Sequence, residues 1–257
     1  MDSQTLRTYE APAAALAGRV ILVTGAGDGI GKAISLALAG HGATVVLLGK
    51  TLRKLEKVHD EIVAAGGPVP ALAHLNLETA LAPEYDALVS SLQAEYGRLD
   101  GLLHNAAILG TLAPVELYDV PTFGRVMHVN VTAAFALTHV CLPLLKTSED
   151  ASIVFTTSSV GRKGRAYWGA YAASKFAVEG LSQVLADELS TDGRVRVNCL
   201  NPGATRTAMR SQAFPGENRE RLPLPETLIA PYLFLLGPAA RGVTGGSFDC
   251  QEPAKPA

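Results

Sequence analysis

Uninterrupted apolar runs alternate along this chain with stretches whose apolar positions recur at helical spacing. Residues 19–24 form a β-branched run bounded by glycines, the pattern of a strand buried on both faces of a parallel sheet. Residues 30–39 then place small and apolar side chains at helical spacing, and His41-Gly42 closes that helix before a second buried-strand run at 43–48. This completes one βαβ unit. The same reading predicts further helices near 52–65, 81–96, 121–146, 170–190 and 226–236, and further strands near 69–75, 99–104, 151–157, 195–200 and 246–250. Such alternation implies an α/β fold, a single doubly wound domain with a seven-stranded parallel sheet, helices on both faces and right-handed crossovers. Ligands are then expected at the carboxyl ends of the strands.

No Pro-rich, Gly-rich or charged linker divides the 257 residues, so one domain over 19–257 is expected, preceded by an N-terminal extension at 1–18. The longest piece without periodicity, 206–225, follows a strand end and reads either as a substrate loop or as a surface connection. Hydrophobic residues make up 48% and charged residues 18%, a balance that excludes a disordered chain. A net charge of −2 gives no electrostatic footprint for nucleic acid. Cys141, Cys199 and Cys250 match neither a disulfide framework nor a zinc ligand pair, and no metal site is expected. The start of the chain lacks a basic segment followed by an apolar one, and no uninterrupted apolar run reaches about 18 residues. The default expectation is a soluble cytoplasmic protein without a membrane partner.

Thr24-Gly-Ala-Gly-Asp-Gly-Ile-Gly31 lies between the first strand and the first helix, where backbone N–H groups and a helix N-terminus can face a pyrophosphate. Its spacing, Gly25-xxx-Gly29-x-Gly31, departs from the G-x-G-x-x-G register, and a tight strand-to-helix corner would account for it equally. The second strand ends Leu47-Leu-Gly-Lys50, without the acidic residue that would bind a ribose 2′-hydroxyl in an NAD site. Lys50, with Arg53 and Lys54 behind it, favours a 2′-phosphate and hence NADP, with NAD possible. The same cations could instead be a solvated helix face.

Tyr171 and Lys175 stand four residues apart in Ala170-Tyr-Ala-Ala-Ser-Lys-Phe176, which puts a phenol and an ammonium on one helix face. A fixed cation beside a phenol favours the phenolate and brings a poor acid nearer working range. Four polar features fall at strand ends or beside them: His104-Asn-Ala-Ala107, Val129-Asn-Val131, Thr156-Thr-Ser-Ser159 and Asn201-Pro-Gly203. All would border the crevice in which a ligand is reached.

On these residues the chain resembles the short-chain dehydrogenase/reductase family, with its Thr-Gly-xxx-Gly-x-Gly turn and Tyr-xxx-Lys helix, over nearly its whole length. The stretches 99–106, 154–162, 168–176 and 198–210 resemble in particular the bacterial YciK-type oxidoreductases of that family. The resemblance implies a Rossmann-type fold and a dinucleotide-dependent interconversion of an alcohol with a ketone or aldehyde. It also implies assembly as a homodimer or homotetramer. Carried over residue by residue, it makes Tyr171 the proton donor and gives Lys175 the lowering of its pKa and a hold on the nicotinamide ribose. Ser158 would bind the substrate oxygen and Asn130 would complete a proton relay. The implied cofactor contacts are Gly25, Gly27, Asp28, Gly29, Ile30, Gly31, Lys50, Asn76, Leu77, Asn105, Ala106, Ala107, Pro202, Gly203, Thr205 and Thr207, together with Tyr171 and Lys175.

Two hydroxyl donors aimed at a carbonyl oxygen would stabilise the charge that hydride transfer builds there. Ser159 competes with Ser158 for that role, and Asn130 could instead bond its own helix backbone. Asn76 stands where the family usually has an Asp, Ala107 replaces a common glycine, and Asp28 occupies a position where many NADP-preferring relatives carry a basic residue. Arg162, Lys163 and Arg165 either line the pocket mouth for an anionic substrate or face water. Trp168 either walls the pocket or packs at the helix start. Two other functions compete: a dinucleotide-binding regulatory or scaffold protein with little turnover, and a serine hydrolase using Ser158 or Ser159 with His104, His128 or His139, although no G-x-S-x-G elbow is present.

Overall fold

The computed structural model describes residues 1–252; the final residues of the expected 19–257 domain, 253–257, lie outside the described part. Seven parallel strands form one sheet: β1 (Val20–Thr24), β2 (Thr44–Gly49), β3 (Ala71–His74), β4 (Gly101–His104), β5 (Ala151–Thr156), β6 (Val195–Asn201) and β7 (Ser247–Asp249), in the order β3-β2-β1-β4-β5-β6-β7. β1 pairs with β2 on one side and β4 on the other, so the strand order reverses at its carboxyl end and opens a crevice there. Strand β1 is buried at every position because both faces are covered. Ile21 and Val23 pack into one core layer and Leu22 into the other, as period-2 alternation requires.

One layer receives α2 (Gly29–Gly40), α3 (Leu52–Ala64) and α9 (Ile229–Leu236); the other receives α4 (Ala82–Tyr96), α6 (Ala133–Lys146) and α7 (Gly169–Glu188). The remaining helices are α1 (Ser3–Arg7), α5 (Val120–Met127) and α8 (Ala208–Ala213). The doubly wound expectation is met. The edge strand β3 is shorter than expected and alternates half-buried with exposed positions, since the face with Ala71 and Ala73 packs on a core layer and the face with Leu72 and His74 is exposed.

Four details depart from the sequence reading. The expected helix at 121–146 is α5 and α6 joined by a π-turn, His128–Thr132, which holds Asn130. Over Val120–Lys146 this stretch is long and apolar enough to cross a bilayer, with mean hydropathy 1.4, but half of that window is buried in the fold. The helix expected at 226–236 starts with a 3-10 turn, Pro225–Leu228, because Pro225 and Pro231 withhold backbone donors. Segment 206–225 contains α8, capped by Thr207 Oγ1 accepting from Arg210 N at 3.2 Å. Residues 1–18 are no detached extension: Leu6 and Leu16 are fully buried, and Tyr9 meets Phe234 of α9 edge-on at 5.1 Å. Asp249 N of β7 donates to Ser3 Oγ at 2.9 Å, tying the two ends of the described chain together.

Beneath the sheet, at the amino ends of its strands, lies a buried ionic cluster. Arg196 Nε donates to Asp150 Oδ1 at 2.9 Å, and its other nitrogens donate to the carbonyls of Leu235 and Gly237. Arg19 Nη1 reaches Asp150 Oδ2 at 3.3 Å. Asp100 accepts from Val20 N at 2.8 Å and from Ser148 Oγ at 2.6 Å, joining β1 to the segment before β5.

Candidate active site

Thr24 stitches the floor of the crevice. Its hydroxyl accepts from Asn105 N and Ala106 N, both at 3.0 Å, and donates to Leu103 O at 3.3 Å, so β1 and β4 end in register. The chain then turns through Gly25 at φ +67° and Gly29 at φ +51°, a region that side chains other than glycine rarely enter. Asp28 caps α2 by accepting from Gly29 N at 2.8 Å. Gly31 lines no part of the crevice, yet a Cβ there would lie 2.2 Å from Gly25 O and 2.6 Å from Asn105 Nδ2. Its role is close packing of α2 beneath the turn. Gly31→Ala is therefore expected to lower stability by about 1–3 kcal/mol, read as a reduced melting temperature, and to weaken nucleotide binding.

The crevice has two connected halves that share Gly25, Asp28, Ala106 and Ala107. The first, about 280 Å³, is bordered by Gly27, Lys50, Thr51, Lys54, Asn76 and Leu77. Gly27 lets α3 close in, since a Cβ there would stand 2.9 Å from Lys54 Cβ. Lys54 pairs with Asp28 at 2.5 Å, and this bond holds the Asp28 carboxyl below its usual range. Lys50 is 60% exposed, and its pairing with Glu78 is loose, at 4.0 Å, so a ligand phosphate can draw it away. Arg53 does not line the crevice. In the sequence Lys54 is no more than a neighbouring cation, and its place in the first turn of the helix after β2 is what brings it here.

The second half, about 310 Å³, brings together Ile30, Asn105, Ser158, Tyr171, Lys175, Pro202, Gly203, Thr205 and Thr207 from four different strand ends. Ser158 is half-buried at its wall, whereas Ser159 is exposed and lines neither half, which separates the two neighbours. Lys175 Nζ lies 5.5 Å from the Tyr171 ring centre and donates to Thr156 O at 2.7 Å. Burial pushes the Tyr171 phenol up to about 12 and the Lys175 ammonium down to about 8. Burial acts on both groups, and on the phenol it opposes the lowering that a fixed cation would bring.

Asn130 lines neither half and is buried. Its side chain bonds not its own helix but Ile108, a residue that borders the first half of the crevice, and Ser174. Nδ2 donates to Ile108 O and Ser174 Oγ, both at 3.0 Å, while Oδ1 accepts from Ile108 N at 2.8 Å. The amide thereby clamps the segment after β4 to α7 one residue before Lys175.

Trp168 serves both expected purposes. It precedes α7, meets Tyr171 edge-on at 5.8 Å, and forms a pocket wall with Leu109, Met209 and Ala213. Met209 and Ala213 escape a reading of the sequence because only the folding of α8 over the crevice brings them in, and Leu109 comes from the loop after β4. Arg162, Lys163 and Arg165 line neither half. The cation at that rim is Arg210, stacked 3.9 Å from the Phe214 ring centre and held by Glu217 at 2.6 Å. His104 is buried against Phe155, bonded to Thr138 Oγ1 at 2.8 Å, and pushed down to about 3 by burial. So enclosed, and with Nε2 already bonded to Thr138, this imidazole borders neither half of the crevice in whose wall Ser158 stands, which speaks against its serving as the base of a serine hydrolase.

The donor set suits a dinucleotide: backbone N–H groups at the start of α2, cations at one end, and a row of polar groups at the other. Thr157 Oγ1, buried without a hydrogen-bond partner, belongs to a residue of this same wall. Comparison with known proteins agrees. Residues 19–218 match the family described as short chain dehydrogenase. The oxidoreductase YciK of Escherichia coli (strain K12) is 49% identical over 238 residues, covering 93% of this chain and 94% of that protein. A short chain dehydrogenase structure from Shigella flexneri superposes with a TM-score of 0.95 at 46% identity, covering 100% of this chain and 99% of the other. Another from Shigella flexneri 2a strain 301, complexed with NADP, has a TM-score of 0.91 at 48% identity, covering 93% and 100%.

Proposed function

The chain belongs to the short-chain dehydrogenase family, and from that premise we propose that it is an NADP-preferring oxidoreductase interconverting an alcohol with a ketone or aldehyde. The observation that carries this reading is the meeting of Ser158, Tyr171 and Lys175 on one wall of a crevice that continues past the glycine turn to Lys50 and Lys54. The NADP complex of a relative 48% identical supports the cofactor. When bound, NADP(H) supplies or accepts the hydride.

This chain's residues do the rest. The amides after Gly25 face the pyrophosphate, and Lys50 and Lys54 hold the 2′-phosphate. Tyr171 keeps its proton at neutral pH, which is the form needed to protonate the oxygen of a reduced carbonyl. Ser158 donates a second hydrogen bond to that oxygen. Lys175, lowered to about 8, can hand a proton on to Tyr171 afterwards. Asn130 acts by holding Ile108 and Ser174, and through them the crevice wall beside Lys175.

Transfer of deuterium from 4-deuterated NADPH to the carbonyl carbon of a substrate panel tests the reaction. Absence of transfer with tight NADPH binding would favour a binding-only role. Cofactor choice is tested separately: Lys54→Ala is expected to raise the Kd for NADP+ about tenfold, or about 1.4 kcal/mol, while leaving NAD+ within about twofold. Equal losses for both nucleotides in a titration would remove Lys54 from 2′-phosphate recognition.

A further inference from the structure

Arg162 lies outside the crevice yet joins three of its walls, and any role for it there rests on the crevice holding NADP(H), the function proposed for this chain. It closes the 3-10 turn Ser159–Gly161 that begins directly after Ser158. Its Nη1 donates to both carboxylate oxygens of Asp249 at 3.0 Å. Nη2 donates to Ser247 Oγ at 2.8 Å and Phe248 O at 3.0 Å, and Nε reaches Ser247 Oγ at 3.1 Å and Glu179 Oε1 at 3.3 Å.

Each partner leads to a different wall. Glu179 sits one turn beyond Lys175 on α7 and accepts from Ser247 Oγ at 2.9 and 2.7 Å. Asp249 Oδ1 accepts from Asn201 Nδ2 at 2.7 Å, and Asn201 Oδ1 accepts from Gly203 N at 3.0 Å, where the chain turns at φ +73°. The Ser158 turn is pressed on Lys175, since a Cβ on Gly161 would lie 2.8 Å from Lys175 Cβ. With its side chain 32% exposed, Arg162 gains little stability from such pairs. The fork of a guanidinium, however, fixes direction as a point charge cannot.

We propose that Arg162 is a positioning residue: through Asp249, Ser247 and Glu179 it holds the Ser158 turn, the Tyr171–Lys175 helix and the Asn201-Pro202-Gly203 turn in mutual register. It touches neither reacting group nor crevice. In catalysis a misplacement of about 1 Å can cost on the order of 10²-fold in rate, so a small loosening of these walls is readable.

The test is calorimetric titration of NADP+ into the full chain. Wild type is compared with Arg162→Lys, Asp249→Asn, their double variant, and Leu92→Ala, a buried residue of α4 that lines neither half of the crevice. Each single variant at the network should raise Kd about tenfold. The double should bind no more weakly than the poorer single, because both cut one link. Leu92→Ala should lower the melting temperature at least as much yet keep wild-type affinity. Wild-type affinity in folded Arg162→Lys overturns the proposal, and so does additivity in the double. Should Arg162→Lys fail to fold, Ser247→Ala removes one acceptor of the fork, and unchanged affinity there overturns the proposal equally. A wild-type protein that does not bind NADP+ overturns the functional reading itself, an outcome distinct from the others.

Discussion

Replacing Tyr171 by Phe is expected to lower kcat about 10²–10⁴-fold while leaving the NADPH dissociation constant within about twofold. The ring is held by Leu109, Val160, Ala172 and Trp168, all of which Phe can still meet. Among the described residues no side chain bonds its hydroxyl, while its carbonyl accepts from Ser174 Oγ regardless of the substitution. Removing the oxygen therefore leaves no orphaned partner and should move the melting temperature little. The loss falls on proton delivery alone, so kcat and kcat/KM should drop together. Single-turnover NADPH oxidation on a confirmed carbonyl substrate measures it, and undiminished turnover would sink the assigned mechanism.

Asp150→Ala should produce the largest loss of stability, about 3–5 kcal/mol, because it leaves a buried guanidinium unpaired. Arg196 is 2% exposed, and its remaining bonds to Leu235 and Gly237 carbonyls offer no countercharge. Arg19, whose Nε already lacks a partner, would lose its carboxylate as well. At about 2–4 °C per kcal/mol for a chain of this size, the melting temperature should fall roughly 6–20 °C. Exchanging the whole cluster for apolar groups of matching volume is expected to cost much less, since the penalty comes from the abandoned charge. Thermal unfolding of both variants decides it. A loss below about 1 kcal/mol for Asp150→Ala would mean that water reaches the cluster.

The strands were legible because β-branched runs in a sheet covered on both faces leave a local mark. Ser158, Tyr171 and Lys175 were legible as motifs, and the structure brings them to one wall. What was hidden depends on distant partners. Nothing near Arg162 in sequence shows that Asp249 will be its counterion, 87 positions away, and so a loop cation facing water or substrate was the natural expectation. Asn130 was legible as a candidate, but its partners were not: the π-turn that turns its amide toward Ile108 has no composition signature. Short α8 has too few residues for periodicity, so the apolar wall it lays over the crevice was invisible. The N-terminal stretch reads as an extension because the partners of Leu6 and Leu16 on α9 come more than two hundred positions later.

The bond between Ser3 and Asp249 spans 246 positions, and β7 beside it supplies the acceptors for Arg162. During synthesis the ribosome must therefore deliver the chain through β7 before this wall can lock. Nascent chains carrying only β1 to β6 already own every reacting side chain but lack the latch that aligns them. Because contacts this remote in sequence form slowly, competence to bind cofactor should emerge late, as a final closing event after most of the sheet has assembled.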